Sequence, residues 1–152
     1  MKIFTKYNKI IILFMINMLM FFTGCSGIKQ VSPNYDVGLT AKNETITLES
    51  SVQEIELELK IYNKTFYELS SDRNIYLSYH ILDKDKNMIQ QDGIRTKIVP
   101  IPPRGRGKQN IKILTPKEPG EYILQLDLVE EGVAWFSDKG NPTIEVGLKV
   151  EK

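Results

Sequence analysis

Two kinds of hydrophobic patterning divide the chain. From Ile10 to Phe22 the apolar residues run on without a period, and Asn17 is the one polar residue in that run. After residue 35 the apolar positions recur with period two. In EIELELKIYN (54–63), Ile55, Leu57, Leu59 and Ile61 fall on one side, while Glu54, Glu56, Glu58 and Lys60 fall on the other. That alternation predicts a half-buried strand. TITLES (45–50), NIYLSYHIL (74–82), GIRTKIV (93–99), KQNIKIL (108–114), EYILQLDLV (121–129) and TIEVGLKV (143–150) repeat it. Seven or eight short strands, with turn residues between them and no helical period after residue 25, predict an all-β antiparallel sandwich. VPIPPRGRGK (99–108) reads as a loop, because its prolines cannot donate to a ladder and its glycines permit turns.

The first apolar run has a different meaning. It follows a basic head bearing Lys2, Lys6 and Lys9, and it is too short for a membrane span, which needs about 20 apolar residues. MFFTGCSG (20–27) then sets the small residues Thr23 and Gly24 before Cys25, the only cysteine of the chain. This arrangement resembles a bacterial lipoprotein signal with its lipobox, apart from Phe22 where leucine is commonest. The resemblance implies cleavage before Cys25 and acyl chains on its sulfur. Two or three chains on one residue anchor a protein stably, whereas one holds reversibly. Residues 1–24 are then a signal peptide, 25–35 the lipidated cysteine and a polar tether, and 36–152 the exported domain. The expected location is the extracytoplasmic face of a cell membrane. A disulfide within the exported part is excluded, since no second cysteine exists.

Charge narrows the partners. From Cys25 onward 17 basic residues face 19 acidic ones, a balance that argues against nucleic acid and against a polybasic grip on anionic lipid. No cofactor is expected.

One local feature points to an immunoglobulin-like sandwich. In KEPGEYILQLDL, Tyr122 opens a strand just after the Pro119–Gly120 turn, where a tyrosine corner would bond back to upstream backbone. From Tyr76 to Val150, the stretches YLSYHILDKDKN, DGIRTKI and PKEPGEYILQLDLVEEGVAWFSDKGNP resemble Ig-like domains appended to bacterial cell-envelope glycosyltransferases. They are also similar to the carbohydrate-binding domain of O-antigen ABC transporters. The resemblance implies a noncatalytic accessory domain with a glycan ligand, and it carries no binding residue across.

Catalysis has little support in the sequence. His80 is the one histidine, and Ser78 shares its strand face, but no acidic third member is placed beside them. Asp83, Asp85 and Asn87 mimic the start of a calcium loop, yet Met88 stands where its glycine belongs and Ile94 where its glutamate belongs. A turn held by side-chain bonds accounts for the same residues. The Asn43 and Asn63 sequons carry no weight beside a bacterial signal.

The candidate binding surface comes from alternation. If Leu77, Tyr79 and Ile81 face the core, Tyr76, Ser78 and His80 face out, with Gln125 and Asp127 on a neighbouring strand and Arg95 and Lys97 on another. Trp135 and Phe136 follow a Glu-Glu-Gly turn. One is expected to cap the sandwich and the other to serve as a contact anchor. Tyr76, His80, Arg95, Lys97, Gln125, Asp127, Trp135 and Phe136 are thus the candidate ligand residues for an envelope glycan. An ordinary solvated face with an Arg95–Asp127 ion pair is the alternative. A protein-interaction module, either an envelope-complex subunit or an inhibitor-like domain, is the competing class of function.

Overall fold

Alternation of the kind seen in EIELELKIYN buries one side of a strand and wets the other, so two such sheets bury their apolar sides against each other. The computed structural model describes residues 31–152, which form ten strands. These are β1 (Val37–Ala41), β2 (Thr45–Glu49), β3 (Glu54–Asn63), β4 (Ile75–Asp83) and β5 (Met88–Gln90). They continue with β6 (Thr96–Lys97), β7 (Arg106–Leu114), β8 (Gly120–Glu130), β9 (Ala134–Trp135) and β10 (Ile144–Glu151). One sheet has the order β1-β3-β7; the other has β2-β10-β8-β4-β5, with β6 also pairing β4 and β9 also pairing β8. This is the strand order of an immunoglobulin-like sandwich.

The first strand crosses between sheets after Ala41, so β2 runs parallel to β10 while every other pairing is antiparallel. The expected all-antiparallel arrangement therefore needs this one correction. A strand that leaves one sheet and joins the other without reversing must lie parallel to the terminal strand.

The core is apolar: Leu57, Leu59, Ile61, Ile111 and Ile113 of the small sheet face Leu77, Tyr79, Leu124, Leu126 and Leu128 of the large one. Tyr79 is fully buried, and its hydroxyl accepts the Leu114 amide at 2.8 Å, a hydrogen bond that ties the two sheets. At the open edge the buried Gln109 amide accepts from Val99 N at 3.0 Å and donates to Val99 O at 2.9 Å. Tyr122 opens β8, and its hydroxyl donates to the Glu118 carbonyl at 2.9 Å, the bond of a tyrosine corner.

Three departures from the sequence reading shape the surface. GIRTKIV is not one continuous strand: β5 and β6 both pair β4, and residues 91–95 bulge out between them. Gly93 lies so close to the core that a Cβ there would stand 2.6 Å from the Tyr79 ring. The 99–108 loop carries Ile101, which pairs with Leu69, and the buried Asn63 amide donates to the carbonyls of Tyr67, Ile101 and Pro102. Finally, the end of the expected tether belongs to the domain. Ser32 N donates to Lys139 O at 3.1 Å, Tyr35 donates to Glu130 at 2.8 Å, and the Tyr35 ring packs edge-on against Phe136. Cys25 and the expected signal segment lie outside the described residues.

Candidate functional site

The outer face of β4 and β8 is where alternation places the candidate residues, and cross-strand register brings several of them together. His80 sits opposite Gln125, Ser78 opposite Asp127, and Tyr76 between Val129 and Lys97. Trp135 extends the Tyr76 row through Val129. The face is nevertheless closed. Every residue of β4 from Leu77 to Leu82 is buried, including Ser78 and His80, and Asp127 is buried as well. The expectation that His80 and Asp127 face solvent is therefore wrong, and the reason is local. The 91–95 bulge folds over β4 from one side and the β9 turn folds over β8 from the other, a use of irregular backbone that bulges commonly serve.

The covering groups satisfy one another. Arg95 Nη1 donates to Ser78 Oγ at 2.9 Å and to Gly93 O at 2.9 Å, and Nη2 reaches Asp92 at 2.9 Å. Arg95 Nε bonds Glu131, so the alternative Arg95–Asp127 pair is replaced by Glu131 and Asp92. The guanidinium carbon lies 4.9 Å from the Trp135 ring centre, and the His80 ring lies 4.1 Å from it, tilted by 47°. His80 Nδ1 bonds the Gln91 carbonyl, which can only accept, so that nitrogen carries the proton. Asp127 accepts the Leu128 amide at 2.7 Å and the Ser137 amide at 3.1 Å, which fixes the β9 turn. Burial raises its pKa above the ordinary 3.8, against the pull of those amides and of His80. Trp135 is half-buried with intramolecular partners on its ring. Phe136 is fully buried and plugs the end of the core, so it is no ligand residue. Tyr76 and Gln125 are half-buried, and Lys97 alone of the candidates is fully open to solvent.

Ser78, His80 and Asp127 thus share a face. Among the described residues, however, no hydrogen bond links Ser78 to His80 or His80 to Asp127. A nucleophile and its base need that bond. The Asp83 carboxylate is spent on its turn: it accepts from Asp85 N, Asn87 N and Asn87 Nδ2, each at 2.8 Å. Hydrogen bonds from Asn87 lower its pKa.

The open surface is elsewhere. On the outer face of β1-β3-β7 a groove of about 620 Å³ is lined by Gly38, Thr40, Lys60, Tyr62, Arg106 and Lys108 with backbone of their neighbours. Gly38 lies opposite Tyr62 and Tyr62 opposite Arg106, while Thr40 lies opposite Lys60 and Lys60 opposite Lys108. The small Gly38 and Thr40 on the edge strand leave the Tyr62 side open, and the Arg106 guanidinium stands 4.9 Å from the Tyr62 ring. A second hollow of about 390 Å³ adjoins it; Lys108 lines both, and Glu58, Lys97, Val99, Gln109 and Asn110 line the second. Sequence reasoning missed this surface. The signal was present in EIELELKIYN, whose outward positions change from three glutamates to Lys60 and Tyr62.

No family model matches the sequence, and no curated protein matches it. Among solved structures, the chain is similar to the ASH/PapD-like domain of human CEP192 at 14% identity, over 88% of this chain and 96% of that one, with a TM-score of 0.40. It is also similar to a CARDB domain from Pyrococcus furiosus, solved with di-metal ions, at 13% identity over 76% of this chain and 86% of that one, TM-score 0.45. A family 123 glycoside hydrolase from Clostridium perfringens matches at 10% identity and TM-score 0.44, over 76% of this chain but only 27% of the hydrolase. These likenesses are of fold, and the Ig-like assignment itself stands on the strand order described above.

Proposed function

We propose that the chain is a noncatalytic binding module held at the outer side of a bacterial membrane by a lipid on Cys25, and that it recognises an envelope polysaccharide. The observation that carries the binding part is the groove on β1-β3-β7. It has the volume of a ligand site and sets an aromatic ring beside hydroxyl and cationic groups. Sugars present apolar ring faces and paired hydroxyls, and both find partners there. The anchor rests on the lipobox resemblance at Cys25, which lies a few residues before Val31 in the sequence.

Two measurements test this reading. Mass analysis of the protein from its native membrane is expected to find Cys25 acylated at a new N-terminus; an unmodified cysteine removes the anchor. Retention of the full chain on immobilised envelope polysaccharide is expected to vanish in Gly38→Phe, which fills the groove, and to survive in Trp135→Ala. Loss in Trp135→Ala with retention in Gly38→Phe would return the site to the face read from the sequence.

A second reading has its own observation. The edge strand β5 exposes Met88 and Ile89, each more than half open to solvent. An unpaired edge with apolar side chains suits strand addition by a protein partner. Capture of one stable protein from membranes, abolished by Ile89→Lys and unchanged by added polysaccharide, would favour it over the glycan.

A further inference from the structure

Resting on the binding reading above, we infer that the ligand of the β1-β3-β7 face is an acidic polysaccharide, and that Lys60, Lys108 and Arg106 hold its charged groups.

The charge pattern across β3 and β7 carries the inference. Lower on the same face opposite strands complement each other: Glu56 stands against Lys112 and Glu58 against Asn110. At the groove Lys60 stands directly against Lys108. Like charges placed directly opposite across an antiparallel pair are destabilising. Among the described residues no carboxylate comes within 4.0 Å of Lys60 or Arg106. Lys108 has one partner, Glu58 at 3.3 Å, a solvent-exposed pair of the kind that contributes little. This concentration of positive charge occurs on a domain whose balance is acidic, so it runs against the average of the molecule. An anion in the groove would relieve the repulsion that the sheet itself leaves uncompensated.

The arrangement also favours a polymer over a single anion. Lys108 joins the groove to the hollow that contains Lys97, so four cations lie along the free edge of β7, with Glu58, the exposed partner of Lys108, as the one carboxylate lining that hollow. Repeated carboxylate or phosphate groups along a chain would meet them in turn. The guanidinium of Arg106 is already held against Tyr62, and a planar fork held in place loses little freedom when it bonds an anion. Thr40 and the Tyr62 hydroxyl remain for sugar hydroxyls. A bilayer surface fits less well, because the domain carries more acidic than basic residues.

The test uses the full chain in detergent on immobilised polygalacturonate, on the same polymer after carboxyl reduction, and with phosphatidylglycerol vesicles. The expected result is salt-sensitive retention on polygalacturonate alone. Lys60→Glu/Lys108→Glu should weaken it by roughly tenfold or more, as for loss of a charge-assisted bond. Lys149→Glu, the same change on the other sheet, should leave retention intact, and far-UV circular dichroism should match among all variants. Equal retention on the reduced polymer would overturn the acidic class while the polysaccharide reading stands. No retention on either polymer would remove both. Vesicle binding that Lys60→Glu/Lys108→Glu abolishes, in place of polymer retention, or polymer retention indifferent to the two lysine substitutions, would also overturn the inference.

Discussion

The two outer sheet faces are built on the same alternation and end in opposite states. On β4-β8 the outward side chains are Tyr76, Ser78, His80, Gln125 and Asp127, polar groups as numerous as those on the outer side of β3. Yet the 91–95 bulge and the β9 turn lie over Ser78, His80 and Asp127 and take up their hydrogen bonds. On β1-β3-β7 no loop among the described residues crosses the groove, and Lys60, Tyr62 and Arg106 line it. Side-chain chemistry alone therefore does not decide which face is left open to a ligand. What decides it is whether the connections at the sheet's edge fold back over it, and a buried polar group that is fully satisfied serves structure.

Substitutions on the covered face should change stability without changing binding, and those on the open face the reverse. The largest effect is expected from Phe136→Ala, which removes the plug beneath the β9 turn; urea denaturation should show a loss of about 3–5 kcal/mol. A loss well under that range would mean that the covering turn packs loosely. Next is Gly93→Ala. Its Cβ would stand 2.6 Å from a Tyr79 ring that has no room to retreat, and overpacking of this kind costs about 1–3 kcal/mol. Thermal melting no lower than wild type would show that the bulge is not pinned to the core.

The third prediction concerns pH. Burial raises the pKa of Asp127, so its stabilising contribution is complete below its ordinary value of 3.8 and is lost as pH rises through the raised folded value. The stability advantage of wild type over Asp127→Asn should therefore shrink as pH rises above that value. The exposed Asp83 behaves in the opposite sense: its pKa is lowered by Asn87, so its contribution is present above 3.8 and is lost as pH falls. Paired urea titrations of Asp127→Asn and Asp83→Asn across the acid range should diverge in opposite directions, and parallel curves would contradict the assignment of Asp127 to a dry site. The smallest effect belongs to the open face. Lys60→Thr relieves the cross-strand repulsion and should stabilise the domain by about 0.2–1 kcal/mol while weakening retention. Destabilisation would mean that Lys60 contributes packing there.

Much of this was legible from periodicity. EIELELKIYN matches β3 residue for residue, and Tyr122 makes the upstream bond that its place after the Pro119–Gly120 turn implied. Alternation also assigned the core side of β4 and β8 correctly, because Leu77, Tyr79, Leu124, Leu126 and Leu128 are all buried. It failed where the outer side is covered, since period two distinguishes one face from the other and cannot distinguish water from a neighbouring loop. Arg95 was readable as an outward residue of a regular strand only because nothing in GIRTKIV marks a bulge except Gly93. Trp135 and Phe136 divide at the end of β9: Trp135 lies on the outer face against His80 and Arg95, and Phe136, in the helical turn that follows, is buried in the core. The groove escaped notice because it is made of small residues on β1, and VGLTA was too short to register as a strand.

Hydrogen–deuterium exchange of the full chain, with and without envelope polysaccharide, tests the contrast between the faces most directly. Slowed exchange in peptides covering residues 38–40, 60–62 and 106–108, with 91–95 and 134–137 unchanged, is the predicted result. Protection confined to 91–95 and 134–137 would contradict it.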